Sequence, residues 1–319
     1  MRLDRALDRF DGDMARRNCA RRSRDDYFWH LRRLFEHLPK EDPRTDDLTQ
    51  DVIRDCLDEW ANATPSTRYK VDAIFRSFCK WLYFNDLVER NPMDKLPRPK
   101  RTHPDDVPLR ALSGSDVRRL FDACETWREL LCLSTLAYFG SRRGAVSRLR
   151  RRHLDLERGW ITFHEKGAKV IDKPIPNAYR RIIEEAIVQG VIGDEPDAYV
   201  IPMLRQQRRN GERDDRVIWR IVKTLGKRAG LDPDSVFPHA LRHAFSVRFL
   251  EQHPGEVEAL QRLLGHSKIE TTQRYWRAME RKRLMERVRD LTWETRFESI
   301  EVEAPSGLEP LYEALQASA

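Results

Sequence analysis

Little in this sequence points to disulfides, bound zinc, membranes or secretion. Its five cysteines (Cys19, Cys56, Cys79, Cys124, Cys132) form no Cys-x-x-Cys pair, which argues against a zinc ribbon and gives no disulfide framework. Four of them, all but Cys19, lie in apolar helical runs, where a free thiol packs as a small hydrophobe. No apolar stretch approaches the ~18 residues that a membrane span needs. The N-terminus is rich in Arg and Asp and lacks an apolar core, so it is not a secretory signal. The expected setting is a reducing cytoplasm, with no membrane partner.

Charge, by contrast, is abundant and uneven. Charged residues make up 35% of 319, and the net charge is +7. Residues 1–100 hold 21 Lys/Arg against 19 Asp/Glu, residues 101–296 hold 38 against 28, and residues 297–319 hold none against five. A basic middle calls for a polyanionic partner, most simply nucleic acid. Arg greatly outnumbers Lys, which suits bidentate phosphate contacts.

The length suits two domains. Residues 1–90 read as helices only. Ser23 is placed to cap a helix carrying Tyr27, Leu31, Leu34, Phe35 and Leu38, and Thr49 one carrying Val52, Ile53, Cys56, Leu57 and Trp60. Thr64-Pro65-Ser66 opens a third, with Ile74, Phe75, Phe78, Cys79 and Leu82 inward. Arg68, Lys70, Arg76 and Lys80 on this third helix are candidates to face DNA. Residues 91–112 contain Pro92, Pro97, Pro99, Pro104 and Pro108 with Lys95, Arg98, Lys100 and Arg101, which reads as an extended basic linker. Ser113 and Asp116 have capping-box spacing and start a second domain, 113–296. Trp160–His164 and Val170–Ile171 read as two strands joined by a Gly-containing loop, 165–169. A polar loop over 204–216, with Arg208 and Arg209, precedes a helix ended by Gly230. Arg216, Arg220 and Lys223 share one side of that helix, placed for phosphate contact. The fold class expected is mainly α, with a small β-hairpin.

The stretch from Phe237 to Tyr275 carries the chemistry. It places His239, Arg242 and His243 at the start of a helix opened by Pro238. His266 follows a turn at Gly265, and Tyr275 comes nine residues later. These five side chains include no carboxylate, whereas hydrolytic metal sites of the His-Glu-x-x-His type need a glutamate base. Imidazoles, a guanidinium and a tyrosine suit phosphate chemistry, where fixed donors meet spreading negative charge. Three other readings compete. His239, His243 and His266 would ligate a metal, but Arg242 among them would repel a cation. The chain would be a DNA-binding protein whose site has decayed. Or it would be a relaxing enzyme of the type IB topoisomerase kind.

His-Ala-Leu-Arg-His at 239–243, Leu-Gly-His at 264–266 and Tyr275 nine residues later resemble the tyrosine recombinase family, also called lambda-type or phage integrases. That resemblance implies an N-terminal helical core-binding domain and a mainly α catalytic domain on double-stranded DNA with specific recombination sites. It implies tetramers in the synapse and a reaction that uses neither metal nor cofactor. It implies cleavage and rejoining through a 3′-phosphotyrosyl link made by Tyr275. Arg142 and Arg242 would hold the phosphate, His239 would serve as base and His266 as phosphate donor. Lys166 would protonate the leaving oxygen, with Lys169 as fallback, and His243 would support the site. The register of Arg142 over Arg143 follows Gly140, two residues earlier. Ala145 departs from the family, which usually has an acid there that supports the site. Residues 297–319 form an acidic tail. Leu308, Leu311, Tyr312 and Leu315 fall on one helical face, and the resemblance implies that such a helix docks on a neighbouring subunit.

Overall fold

A computed structural model describes residues 1–38, 41–100, 111–165, 167, 169–202 and 214–277. Contacts divide the chain into two compact units, Met1–Pro108 and Leu109–Ala319.

The first unit is built of α1 (Leu3–Arg16), α2 (Arg21–Leu31), α3 (Gln50–Asp58) and α4 (Pro65–Phe84). Thr49 Oγ1 accepts from Val52 N and Thr64 Oγ1 from Thr67 N. Such caps stabilise a helix start by about 1 kcal/mol each, and Pro65 fits the first turn because its missing N–H has no helical partner there. The expected inward set of α4 is buried, Ile74, Phe75, Phe78, Cys79 and Leu82 all at 1% or less. Two expectations need correction. Ser23 lies inside α2, which starts without a side-chain cap at Ala20 and tightens into a 3-10 turn, Arg32–Glu36. Arg76 does not face outward: it donates to Asp72 and to the carbonyls of Met93 and Leu96. Those bonds, with Met93 and Leu96 in the core, pack the start of the proline-rich stretch onto this unit. A helix not singled out from the sequence, α1, buries Leu3, Leu7, Phe10 and Met14.

The second unit contains α5 (Gly114–Asp122), α6 (Trp127–Phe139), α7 (Arg143–Ser147), β1 (Leu154–Asp155), β2 (Trp160–His164), β3 (Val170–Pro174), α8 (Asn177–Val188), α9 (Arg216–Arg228), α10 (Pro238–Gln252) and α11 (Val257–Leu264). Residues 270–277 are also helical. The Ser113–Asp116 capping box starts α5, and a second box, Thr126 with Glu129, starts α6. Helix α6 is apolar nearly all round and packs against α5, α8, α9 and α10, as a helix without a polar face must. The strands form an antiparallel sheet in the order β1-β2-β3, with Ile161 opposite Lys173 and Phe163 opposite Ile171. The two-residue β1 is too short to show alternation in sequence. The unit is mainly α, and its sheet lies beside the C-terminal end of α6.

Candidate active site

Three helix ends build the site. Helix α6 stops at Gly140, whose φ of 55° favours a residue without a side chain. A Cβ there would lie 2.5 Å from Phe245 Cδ1, so α10 also requires the glycine. The chain then extends through Ser141 to Arg142, the N-cap of α7. The last carbonyls of α6 have no partners within the helix, and two buried cations satisfy them. Lys173 Nζ donates to Phe139 O and Ser141 Oγ, both at 2.8 Å. Arg242 Nη1 donates to Gly140 O at 2.7 Å. Arg242 Nη2 donates to Leu264 O, the C-terminal carbonyl of α11, also at 2.7 Å. One guanidinium thus ties together two helix C-termini, where the helix dipole favours positive charge. Arg242 is 1% exposed, and its buried Nε has no hydrogen-bond partner.

His266 completes the Arg242 cluster. Helix α11 ends at Gly265 (φ 64°), and Gln261 holds the carbonyl of His266. Arg242 Nη2 lies 3.0 Å from His266 Nε2. A guanidinium only donates, so Nε2 accepts and the ring proton sits on Nδ1, which donates to Thr272 Oγ1 at 2.8 Å. Burial and the nearby Arg242 and Arg142 charges push the His266 pKa down to about 3.

The Tyr275 ring packs with Leu250, Leu260 and Leu264 and is 2% exposed. Its hydroxyl lies 2.7 Å from Nδ1 of His243. Burial raises the phenol pKa, against the charges of Arg242, Arg274 and Arg142, which lower it. The imidazole touching the nucleophile candidate is therefore His243. His239, expected as the base, meets the His243 ring edge-on at 4.6 Å. Burial and the positive groups around it push the His243 pKa down to about 4. His239 is shifted in the same direction, but its residue is exposed to solvent, which screens the effect.

Arg142 and Arg143 part company. Arg142 Nη1 donates to Glu165 Oε2 at 2.9 Å, on the same side as Lys173 and Arg242. Arg143 Nε donates to Asp215 Oδ2 at 3.0 Å, toward α9. A groove of about 390 Å³ passes Arg142 and is lined by Ser141, Arg143, Trp219, Phe237, Pro238 and His239. Lys166 lies outside the described residues, as do Arg101, Arg208, Arg209 and the whole tail. Lys169 is exposed, and its carbonyl closes the hairpin by accepting from Glu165 N.

Two residues of this cluster, Glu165 and Lys173, were not singled out from the sequence. Lys173 is 1% exposed, and burial and the neighbouring arginines push its pKa down to about 7. Among the described residues no three His, Cys, Asp or Glu side chains are grouped to hold a metal. No helix among them is long and apolar enough to cross a membrane. Of the DNA-facing candidates, Arg68, Lys70, Arg98, Lys100, Arg216 and Arg220 are exposed. Lys70 pairs with Asp26 and Arg98 with Asp72, while Arg216 and Arg220 lie near Asp214.

Residues 110–282 match the model of the phage integrase family. Tyrosine recombinase XerC of Erythrobacter litoralis is 31% identical over 226 residues, 68% of this chain and 70% of that protein. Tyrosine recombinase XerD of Xanthomonas campestris pv. campestris is 29% identical over 298 residues, 85% of this chain and 87% of that protein. Among solved structures, a lambda integrase tetramer bound to a Holliday junction has the same fold. Its TM-score is 0.64 at 17% identity, covering 83% of this chain and 77% of that one.

Proposed function

We infer the reaction from kinship joined to geometry: the chain belongs to the phage integrase family. The function is site-specific DNA recombination, by cleavage and rejoining through a covalent tyrosyl link. The observation that carries it is the Tyr275 hydroxyl, bound to a neutral His243 and close enough to Arg242 and Arg142 to feel their charges. A phenol of ordinary pKa near 10 is a weak nucleophile at neutral pH, so it needs a proton acceptor and an electrophile flanked by cations.

Tyr275 Oη attacks the scissile phosphorus, forming the Tyr–O–P bond and breaking the bond to the 5′ oxygen. That oxygen takes a proton from Lys166, in the role the family resemblance gives it, and later attacks the phosphotyrosine to rejoin a strand. The phosphate oxygens take the open side of Arg142, and Nε of Arg242 is a buried donor without a partner in this cluster among the described residues. His266 is locked as acceptor from Arg242 in this arrangement. Donation to phosphate requires it to release Arg242 and carry its proton on Nε2. Buried at 2% exposure, Tyr275 is stored rather than presented. Attack on a duplex requires residues 270–277 to shift, with His243, or His239 beside it, taking the proton.

The two units, joined by a basic stretch, divide the work as a helical core-binding domain and a catalytic domain. The partner is double-stranded DNA bearing recombination sites, on which copies of this chain assemble as a tetramer. Integration, excision and dimer resolution all use this chemistry. The setting is the cytoplasm, where the buried thiols of Cys56, Cys79 and Cys132 stay reduced. The metal reading lacks geometric support, because His243 Nδ1 faces Tyr275 and His266 Nε2 faces Arg242.

The test is Tyr275→Phe on nicked DNA carrying the target site, with covalent protein–DNA complex read on a denaturing gel. The variant is expected to bind DNA like the wild type and to form no covalent complex. Wild-type amounts of complex would overturn the assignment and make Tyr138 the next tyrosine to test.

A further inference from the structure

The N–H of Arg142 is where the site departs from an ordinary helix start. Arg142 is the N-cap of α7. A Glu or Gln at the third helical position would reach back to that N–H. The third residue of α7 is Ala145, 3% exposed, and a methyl group accepts nothing. The N–H is instead bound by Glu165, from the end of β2, at 3.3 Å to Oε1. The other oxygen of the same carboxylate accepts from Arg142 Nη1 at 2.9 Å. A single side chain therefore fixes both the backbone and the guanidinium of Arg142.

Glu165 also sits where its charge matters. Its side chain is 0% exposed, and a carboxylate is kept at such depth only when cations and donors surround it. Arg142, Arg242 and Lys173 are those cations. At Arg242 and at Lys173, the negative charge of Glu165 offsets part of the repulsion that Arg142 exerts. Asp215, the acid next along this edge, is taken by Arg143. Glu165 immediately precedes Lys166, so one hairpin carries both residues.

We propose that Glu165 is the positioning carboxylate of this site, supplying from the β2–β3 hairpin what an acid at position 145 would supply from α7. It orients Arg142 toward the phosphate and balances a buried cluster of cations. The role rests on the reading of Arg142 as a phosphate ligand. It explains how Ala145 stands at its position in a working site.

The experiment uses the full chain and nicked target-site DNA at saturating concentration, reading the single-turnover rate of covalent complex formation and, separately, DNA affinity. Glu165→Ala is expected to slow covalent attachment about 10²-fold, as misplacing a catalytic group does, with Kd changed less than about threefold. Glu165→Gln keeps the shape and one acceptor but loses the charge, and is expected to fall between. If the Ala variant does not fold, by thermal unfolding, the Gln variant carries the test alone. In an Arg142→Ala background, removing Glu165 is expected to add little, because the two act as one unit. A wild-type rate for both Glu165 variants, or full additivity with Arg142→Ala, overturns the role. If the wild-type chain itself forms no covalent complex, the reading of the site fails instead.

Discussion

At the scale of single residues, the two adjacent arginines make the sharpest contrast. Arg142 enters the cation cluster through Glu165, while Arg143 turns away to Asp215. Arg142→Ala and Arg242→Ala are each expected to slow cleavage by about 10²–10³, the usual loss when a donor aimed at developing charge is removed. Arg143→Ala removes an ion pair with little effect on rate, and equal losses at 142 and 143 would show that the register is wrong. Arg242→Ala is also expected to lower stability, because the carbonyls of Gly140 and Leu264 lose their donor, at about 1–3 kcal/mol for each unpaired group. Thermal unfolding of the three variants separates this effect from the catalytic one. The histidines set the pH behaviour. His243 is held at about 4 and His266 at about 3, against an ordinary value near 6.5. Both are neutral across pH 5–8, so the cleavage rate should show no break near 6.5 from these groups. Below about 6.5 the unfolded chain takes up protons that the folded site refuses. Stability present above that pH is therefore lost as the pH falls toward about 4. Denaturant midpoints at pH 7.5 and 5 test this, and the drop should shrink in His266→Asn.

At the scale of elements, the site depends on helix ends meeting a sheet edge. Gly265 closes α11 in the left-handed region, and a Cβ there would collide with Ile171 Cδ1 on β3. Gly265→Ala is expected to cost about 1–2 kcal/mol from the backbone conformation alone, plus the collision. It should also slow covalent attachment by moving His266. Adding Ile171→Ala should relieve the collision but not the backbone strain, so recovery of the melting temperature should be partial. Full recovery would show that the left-handed conformation carries no cost here. Much of this scaffold was legible in the sequence. Thr49, Thr64 and Ser113 announce their helices, and Gly265 marks where a helix stops. Spacing alone put Arg242, His266 and Tyr275 in one stretch. Glu165 and Lys173 were not legible, although strand alternation places them inward, with Ile161 and Phe163 on β2 and Ile171 on β3. A charged residue at an inward strand position reads as a break in the pattern until its partners are known. Those partners are the end carbonyls of α6 and the Arg142 side chain, which meet the sheet only in the folded chain. The pairing of Tyr275 with His243 rather than His239 was hidden for a similar reason, since both imidazoles share one helical face.

At the scale of the whole molecule, charge is the guide. The positive excess lies in residues 101–296, while residues 1–100 are nearly balanced. In the first unit many cations are already committed: Arg24 to Asp11, Lys70 to Asp26, and Arg76 and Arg98 to Asp72. The phosphate-neutralising share of binding should therefore come mainly from the second unit and the basic stretch before it. Each phosphate neutralised releases counterions and steepens the fall of log K with log salt. The full chain should accordingly lose DNA affinity steeply as salt rises. A fragment from Ser113 onward keeps most of the net positive charge but lacks Arg68, Lys70, Arg98, Lys100 and Arg101. It is expected to bind a target duplex weakly, with a slope shallower by about one for each phosphate that residues 1–112 would have neutralised. Filter binding at several salt concentrations reads both quantities. A fragment as tight as the whole chain, with the same slope, would mean that residues 1–112 neutralise no phosphate. Equal slopes with a large fall in affinity would mean that the first unit contributes through base edges or DNA shape, because that kind of recognition releases few counterions.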